Sequence, residues 1–310
     1  MKPQPVLGFF LALTASIMWS ALPIALQPLM TIMDAQTIVW FRFVTAMVGI
    51  FFILLLSGKL PKLADFTAHY RGLILLGIAG LAGNFFLFNL SLNYIPATVS
   101  QVLSPLSSFL MLLSGIVLFK ERMGIHQKIG LVLLLIGLPL FFNDRFGDFS
   151  QMNSFAIGVL LGCSASLIWI GYGLAQKFLL AKFNSQQILL VIYFGCSLVF
   201  TPFANVEQTS GLSSFTLGCL IFCCLNTLVA YGCYAEALNR WEVSKVSMLM
   251  PQIPIVTLVF SHIAHYVAPE YFAETNLNLV SYIGAVIVVA GAFSAAAGHK
   301  LFYYRQRRRS

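Results

Sequence analysis

The sequence predicts an all-α integral membrane protein of ten transmembrane helices, arranged as two inverted five-helix repeats with both termini cytoplasmic. Three observations predict it. Mean hydropathy is +0.88, and only 9% of the 310 residues are charged, against roughly a quarter in a soluble domain; covering that much apolar surface takes lipid. Asn93 stands twelve positions before Pro105 and Asn239 twelve before Pro251, with apolar runs around each pair. Proline breaks the helical hydrogen-bond ladder, so kinks recur at corresponding places, as in internally repeated membrane proteins. Finally, 16 of the 18 Lys and Arg fall on the segments that ten crossings from a cytoplasmic N-terminus leave inside, as basic cytoplasmic loops require.

Each run is about the 20 residues that a spanning helix needs. The first five cover 6–28, 35–56, 72–92, 98–118 and 127–142. They are separated by Asp34, by Gly58-Lys59-Leu60-Pro61-Lys62, by the polar hairpin Asn93–Ala97, and by Lys120–Gly124; Asn143–Asn153 closes the unit. The second five cover 155–176, 187–203, 213–238, 245–265 and 280–301, with breaks at Lys177–Gln186, Ala204–Leu212, Asn239–Ser244 and Tyr266–Asn278. Lys2 ahead of the first run imitates a signal peptide. That run has a counterpart after residue 155, however, and a repeated fold needs both copies.

The repeat extends past the prolines. A shift of 150 sets Gly8 on Gly158, Ala15-Ser16 on Ala165-Ser166, Trp19 on Trp169 and Gln36 on Gln186. A shift of 146 pairs the two proline motifs, and one of 154 pairs Gly130 with Gly284 and Gly137 with Gly291. The units are therefore 1–150 and 151–310. Five spans is an odd number, so the second unit is inverted, the plan of secondary transporters with a midplane site.

Several other classes are disfavoured. The net charge of +8 lies in short inter-helix segments and the C-terminus, not on a periodic face, so no nucleic-acid partner is expected. The cysteines (163, 196, 219, 223, 224 and 233) lack zinc-type spacing and read as small core residues. His262 and His265 share a helix face without further ligands, so neither a metal nor another cofactor is expected. No phosphate-binding Gly-x-x-x-x-Gly-Lys loop occurs. An enzyme needs its acids, bases or nucleophile at one depth, and here the His and acidic residues are scattered; a membrane-embedded enzyme or receptor is the remote alternative.

Four features together resemble the drug/metabolite transporter superfamily, specifically its EamA-type exporters, over nearly the whole chain. They are Trp19-Ser20 in the first helix and Arg42-Phe43 in the second; Tyr94-x-Pro96-Ala97 leading through Leu103-Ser104-Pro105 to Phe119-Lys120-Glu121-Arg122; and the Gly130…Gly137 helix. The second unit departs from the pattern in a longer ninth-to-tenth connection, where Glu270 and Glu274 compete as the equivalent of Glu121. The resemblance implies a multi-pass protein of the inner membrane exporting a small-molecule substrate, an amino acid or related amphipathic compound. It also implies a cavity lined by the first, third, fourth, sixth, eighth and ninth helices. A multidrug or cationic-compound exporter is the alternative.

Candidate cavity residues follow. Gly80, Asn84 and Phe88 share a face of the third helix at four-residue spacing, and their counterparts Asn226, Ala230 and Tyr234 do so in the eighth. Both asparagines read equally as interhelical ties. Trp19 and Trp169 lie deep in their helices, away from the interfacial belts, and suit a cavity wall or gate that Tyr172 would extend. Pro105 and Pro251 read as hinges. Gln101 and Ser104, with Ser247 and Gln252, are the polar groups nearest those kinks. Arg42 and Glu236 are the two ionisable residues clearly within spans, where charge is by default functional. Arg42 would hold a substrate carboxylate, pair with Asp34, or snorkel to the surface, and the structural readings lead because the second helix is not an expected cavity helix. Glu236 would couple protons or pair with Arg240 one turn on, with pairing favoured. The basic, aromatic tail at 302–309 suits anionic lipid at the cytoplasmic face. Nothing in the sequence fixes an oligomeric state.

Overall fold

The computed structural model describes residues 4–61, 67–119, 123–241, 246, 249–272, 274 and 277–307. Ser247, the Lys120–Arg122 segment and the side chains of the C-terminal tail lie outside the described residues. The chain runs through α1 (Pro5–Met30), α2 (Ala35–Leu56), α3 (Ala68–Ser91), α4 (Ala97–Val102), α5 (Ser104–Phe119) and α6 (Ile125–Phe141). It continues with α7 (Phe146–Ser150), α8 (Ser154–Leu179), α9 (Ser185–Phe200), α10 (Ser214–Arg240), α11 (Ile253–Val267) and α12 (Leu279–Arg307). No strand occurs among the described residues.

These helices are apolar on nearly every side, which suits burial in protein and lipid together. Their outer faces carry bare hydrocarbon, with Leu56 88% and Val117 76% exposed. Seven helices among the described residues are long and apolar enough to cross a membrane, and α6 is a shorter apolar helix. The chain is thus a multi-pass membrane protein. The expected count of ten depends on the runs that the structure interrupts. The fourth run is divided into α4 and α5, and the ninth passes through a 3₁₀ turn at Met250–Gln252 before α11.

The interruptions have a local cause. Pro105 sits in the first turn of α5, where its missing N–H costs nothing. It cannot donate to the carbonyl one turn back, so the ladder stops at Leu103, whose N–H still reaches Val99. Pro251 lies within the 3₁₀ turn and Pro254 in the first turn of α11. Elsewhere short polar side chains cap the starts: Asp34 accepts from Thr37 N at 2.8 Å and Asn184 from Gln187 N at 2.9 Å. One expectation fails in detail. The break at Asn143–Asn153 holds the short helix α7, and the 204–212 connection holds a 3₁₀ turn over Val206–Gly211.

The most extensive packing is between α6 and α12, α3 and α8, α1 and α10, and α2 and α9. In the α6–α12 crossing a Cβ on Gly130 would stand 2.6 Å from the carbonyl oxygen of Gly291, and one on Gly291 would stand 2.8 Å from that of Gly130. Gly137 and Gly284 face each other in the same way, at 3.0 and 2.8 Å. Only glycine allows backbones this close. Gly8 of α1 packs on Trp241, and Gly158 of α8 packs on Ile95.

Candidate functional site

A cavity of about 660 Å³ opens in the middle of the bundle. Its wall comes mainly from α1, α3, α4–α5, α8 and α10, and α2 contributes Arg42. The cavity runs to the bundle end where α5, α8 and α12 finish and α6 and α9 begin, reaching Ser114, Gln127, Ser185 and the exposed Lys177. At its other end α1 closes it: Leu22 lines the cavity, and Leu26 and Leu29 beyond it are fully buried against Ile38, Leu220 and Cys223.

Aromatic rings form one side. The Trp19 ring stands edge-on to Tyr231 and tilted to Tyr234, both with centroids 5.3 Å away. Trp169, which meets Tyr172 at 6.1 Å, packs into the same cluster as Phe85 and Tyr231. Amides and hydroxyls stand among aliphatic side chains over the rest. Asn84 donates its Nδ2–H to Ala165 O at 2.9 Å, and Gln101 donates its Nε2–H to Trp19 O at 3.1 Å. Each therefore ties one helix to another while also lining the cavity. The Ser100 hydroxyl is buried with no hydrogen-bond partner among the described residues. Such a wall stacks on an apolar group and hydrogen-bonds a polar one, as small-solute sites do.

Most of the residues singled out in the sequence meet here: Trp19, Asn84, Phe88, Gln101, Ser104, Trp169, Tyr172 and Tyr234 line the cavity, together with Pro105 and Pro251. Asn226 does not. It is fully buried and donates its Nδ2–H to Met18 O. Gln252 donates to Ser16 Oγ at 3.2 Å, also off the wall. Glu236 pairs with Arg240 Nη2 at 2.6 Å and lies outside the lining.

Arg42 requires a correction. Asp34 is engaged by Gln208, whose Nε2–H reaches it at 2.7 Å, while Arg42 is 2% exposed and points inward. Its Nε–H donates to Thr227 Oγ1 at 3.0 Å and its Nη1–H to Asn89 Oδ1 at 3.2 Å. The arginine is neither paired with Asp34 nor snorkelled, and the second helix does reach the cavity.

The sequence reading missed Tyr231, Phe85 and, apart from Ser104, the serines of the proline-broken helix. Both had a signal. Tyr231 precedes Tyr234 by one turn, and Ser100, Ser104, Ser107, Ser108 and Ser114 recur at helical spacing along one face.

Comparison with known proteins agrees with this architecture. The EamA-like transporter family matches residues 6–143 and 156–296. A protein of Haemophilus influenzae described as an uncharacterized transporter is 52% identical over 98% of this chain and 99% of its own. The Escherichia coli protein YhbE, described as an uncharacterized inner membrane transporter, is 42% identical over 97% of this chain and 95% of its own. More distant is a probable amino-acid metabolite efflux pump of Escherichia coli, 19% identical over 64% of this chain and 67% of its own. One solved crystal structure, 18% identical, shares the fold with a TM-score of 0.64 across 93% of this chain and 95% of that one.

Proposed function

Because the chain belongs to the EamA-like transporter family, we propose that it is a secondary transporter of the inner membrane exporting amino acids or related amphipathic metabolites. The observation that carries this reading is the cavity of about 660 Å³, lined by aromatic and aliphatic side chains with a few amides and hydroxyls and bounded by the buried leucines of α1 at one end. That volume falls within the range of small-molecule sites. The efflux-pump name of the distant relative points to the same solute class.

On this reading the interrupted helices complete ten crossings, both termini are cytoplasmic, and the cavity opens to the cytoplasm, ready to load. The two halves, 1–150 and 151–310, are inverted copies that rock about the cavity. The glycine crossings support that plan. Under the repeat Gly130 corresponds to Gly284 and Gly137 to Gly291, yet Gly130 meets Gly291 and Gly137 meets Gly284. Two copies related by a two-fold axis make contacts of this reciprocal kind. Pro105 and Pro251 would serve as the hinges. The cationic-compound alternative draws no support from Glu236, which is occupied by Arg240.

The test is counterflow into liposomes of purified protein with labelled amino acids, alongside Trp169→Ala and Asn84→Ala. Saturable uptake of one amino-acid class, lost or weakened in both variants, is the expected result. Movement of cationic dyes with no amino-acid uptake would replace this reading by the multidrug one.

A further inference from the structure

We propose that Arg42 is the anion site of the cavity and takes the carboxylate of the transported solute; the inference rests on the cavity's being the transport site. A charge this deep in a membrane protein is costly unless something compensates it. Here no described residue is seen to supply an opposite charge. The partners of Arg42 are the neutral Thr227 and Asn89, each contacting one N–H, and the ring of Phe85, which lies 4.4 Å from the guanidinium carbon. A guanidinium carries five N–H donors in a planar fork, so most are left for a ligand, and the Nη2 group has no partner among the described residues. No Asp or Glu is among the described lining residues. The cavity thus holds a deep cation with no anion to satisfy it among the described lining residues.

The surroundings point to a carboxylate attached to an apolar body rather than a bare ion. Thr227 and Asn89 each hold one N–H and Phe85 covers the guanidinium, which restrains a planar fork of the kind that binds a flat carboxylate at two points. Phe85 continues the aromatic wall, with Tyr231 6.3 Å away and Trp19 a further 5.3 Å on. A solute seated on Arg42 lays its apolar part along these rings. Arg42 also ties α2 to α3 and α10 through Asn89 and Thr227, so filling this site bears on the packing at the closed end.

The test uses full-length purified protein and thermal-shift titration. Phenylalanine, leucine and threonine are each compared with their own amides, which keep the side chain and amino group but lose the anion. The acids should bind wild type about ten- to a hundredfold more tightly than the amides, the range carried by a charge-assisted hydrogen bond. R42Q should erase that difference, and R42K, which keeps the charge without the fork, should fall between. If R42Q does not fold, the wild-type comparison and R42K decide. Equal binding of acid and amide by wild type, or an undiminished acid preference in R42Q, would overturn the site. Chloride protecting as well as the acids would leave a simple halide site and overturn the solute assignment. So would the absence of a shift with any acid, extended to simple monocarboxylates. The two failures separate cleanly. Amino-acid counterflow intact in R42Q sinks the site and leaves the function; Arg42-dependent binding of monocarboxylates that are not amino acids sinks the amino-acid reading and leaves the site.

Discussion

Asn84 and Asn226 both donate an amide N–H to a backbone carbonyl of the helix they cross, but only Asn84 also faces the cavity. Their alanine variants should therefore separate two properties. Asn226→Ala should lower thermal stability by about 0.6 kcal/mol, the typical value of an interhelical hydrogen bond in a membrane, with KM unchanged. Asn84→Ala should cost a similar amount and raise KM as well. Equal KM in the two variants would remove Asn84 from the binding surface. Trp19→Ala deletes the partner of both Tyr231 and Tyr234 and should raise KM several-fold, as loss of a packed aromatic contact does; counterflow at varied solute concentration measures it. At this scale the sequence was a partial guide. Depth and periodicity picked out Trp19, Asn84 and Tyr234. They could not show that Arg42 turns inward, because its orientation is set by Thr227 and Asn89, which are 185 and 47 residues away. Nor could they tell Asn226 from Asn84, since a helix face is legible in sequence and the neighbour it meets is not.

Among the elements, the α6–α12 pair makes the tightest demand. Any side chain at Gly130 or Gly137 would meet a backbone carbonyl oxygen within 3.0 Å, and backbone, unlike a flexible side-chain end, yields only by moving the whole helix. Gly137→Leu should therefore destabilise by roughly 1–3 kcal/mol, the usual cost of overpacking, and lower the melting temperature in detergent. A leucine at Gly72, where a Cβ would meet nothing, is the control and should leave it unchanged. The elements themselves were legible because apolar runs of this length have few alternatives in lipid. Their interruptions were placed less well. Pro105 and Pro251 marked the right helices, but the ladder stops at Leu103, two residues ahead of the ring, and the second break takes the form of a 3₁₀ turn. The helix α7 went unseen because its five residues are too few to show a period.

For the molecule as a whole, the closed end is held by contacts between the start of α2 and the chain following α9. Asp34 and Gln208 exchange hydrogen bonds at 3.0 and 2.7 Å, Asn205 N donates to Thr37 Oγ1 at 2.9 Å, and Trp40 Nε1 donates to Thr201 Oγ1 at 3.0 Å. At the open end a comparable link runs from Gln187 Nε2 to Lys59 O at 2.8 Å. If the molecule alternates between ends, weakening the closed-end set favours the other state by the energy removed. Gln208→Ala should shift the population several-fold toward opening at that end. Labelling of a cysteine introduced at Leu26 by an impermeant maleimide, in a variant lacking the native cysteines, reads this out. The same residue in the parent should stay protected, while a cysteine at Ser114 should react from the opposite side. Labelling at Leu26 indifferent to Gln208 would mean these bonds do not hold the closed state.

The reciprocal crossing of α6 and α12 also has a consequence for how the chain is made. Gly130 leaves the ribosome about 160 residues before Gly291, the residue it rests against. At synthesis rates of roughly 5–20 residues per second, the glycine face of α6 spends about ten to thirty seconds in the bilayer before its mate is synthesised. Lipid must fill that groove in the meantime and be displaced afterwards. The packing of α6 is accordingly finished only when α12 arrives.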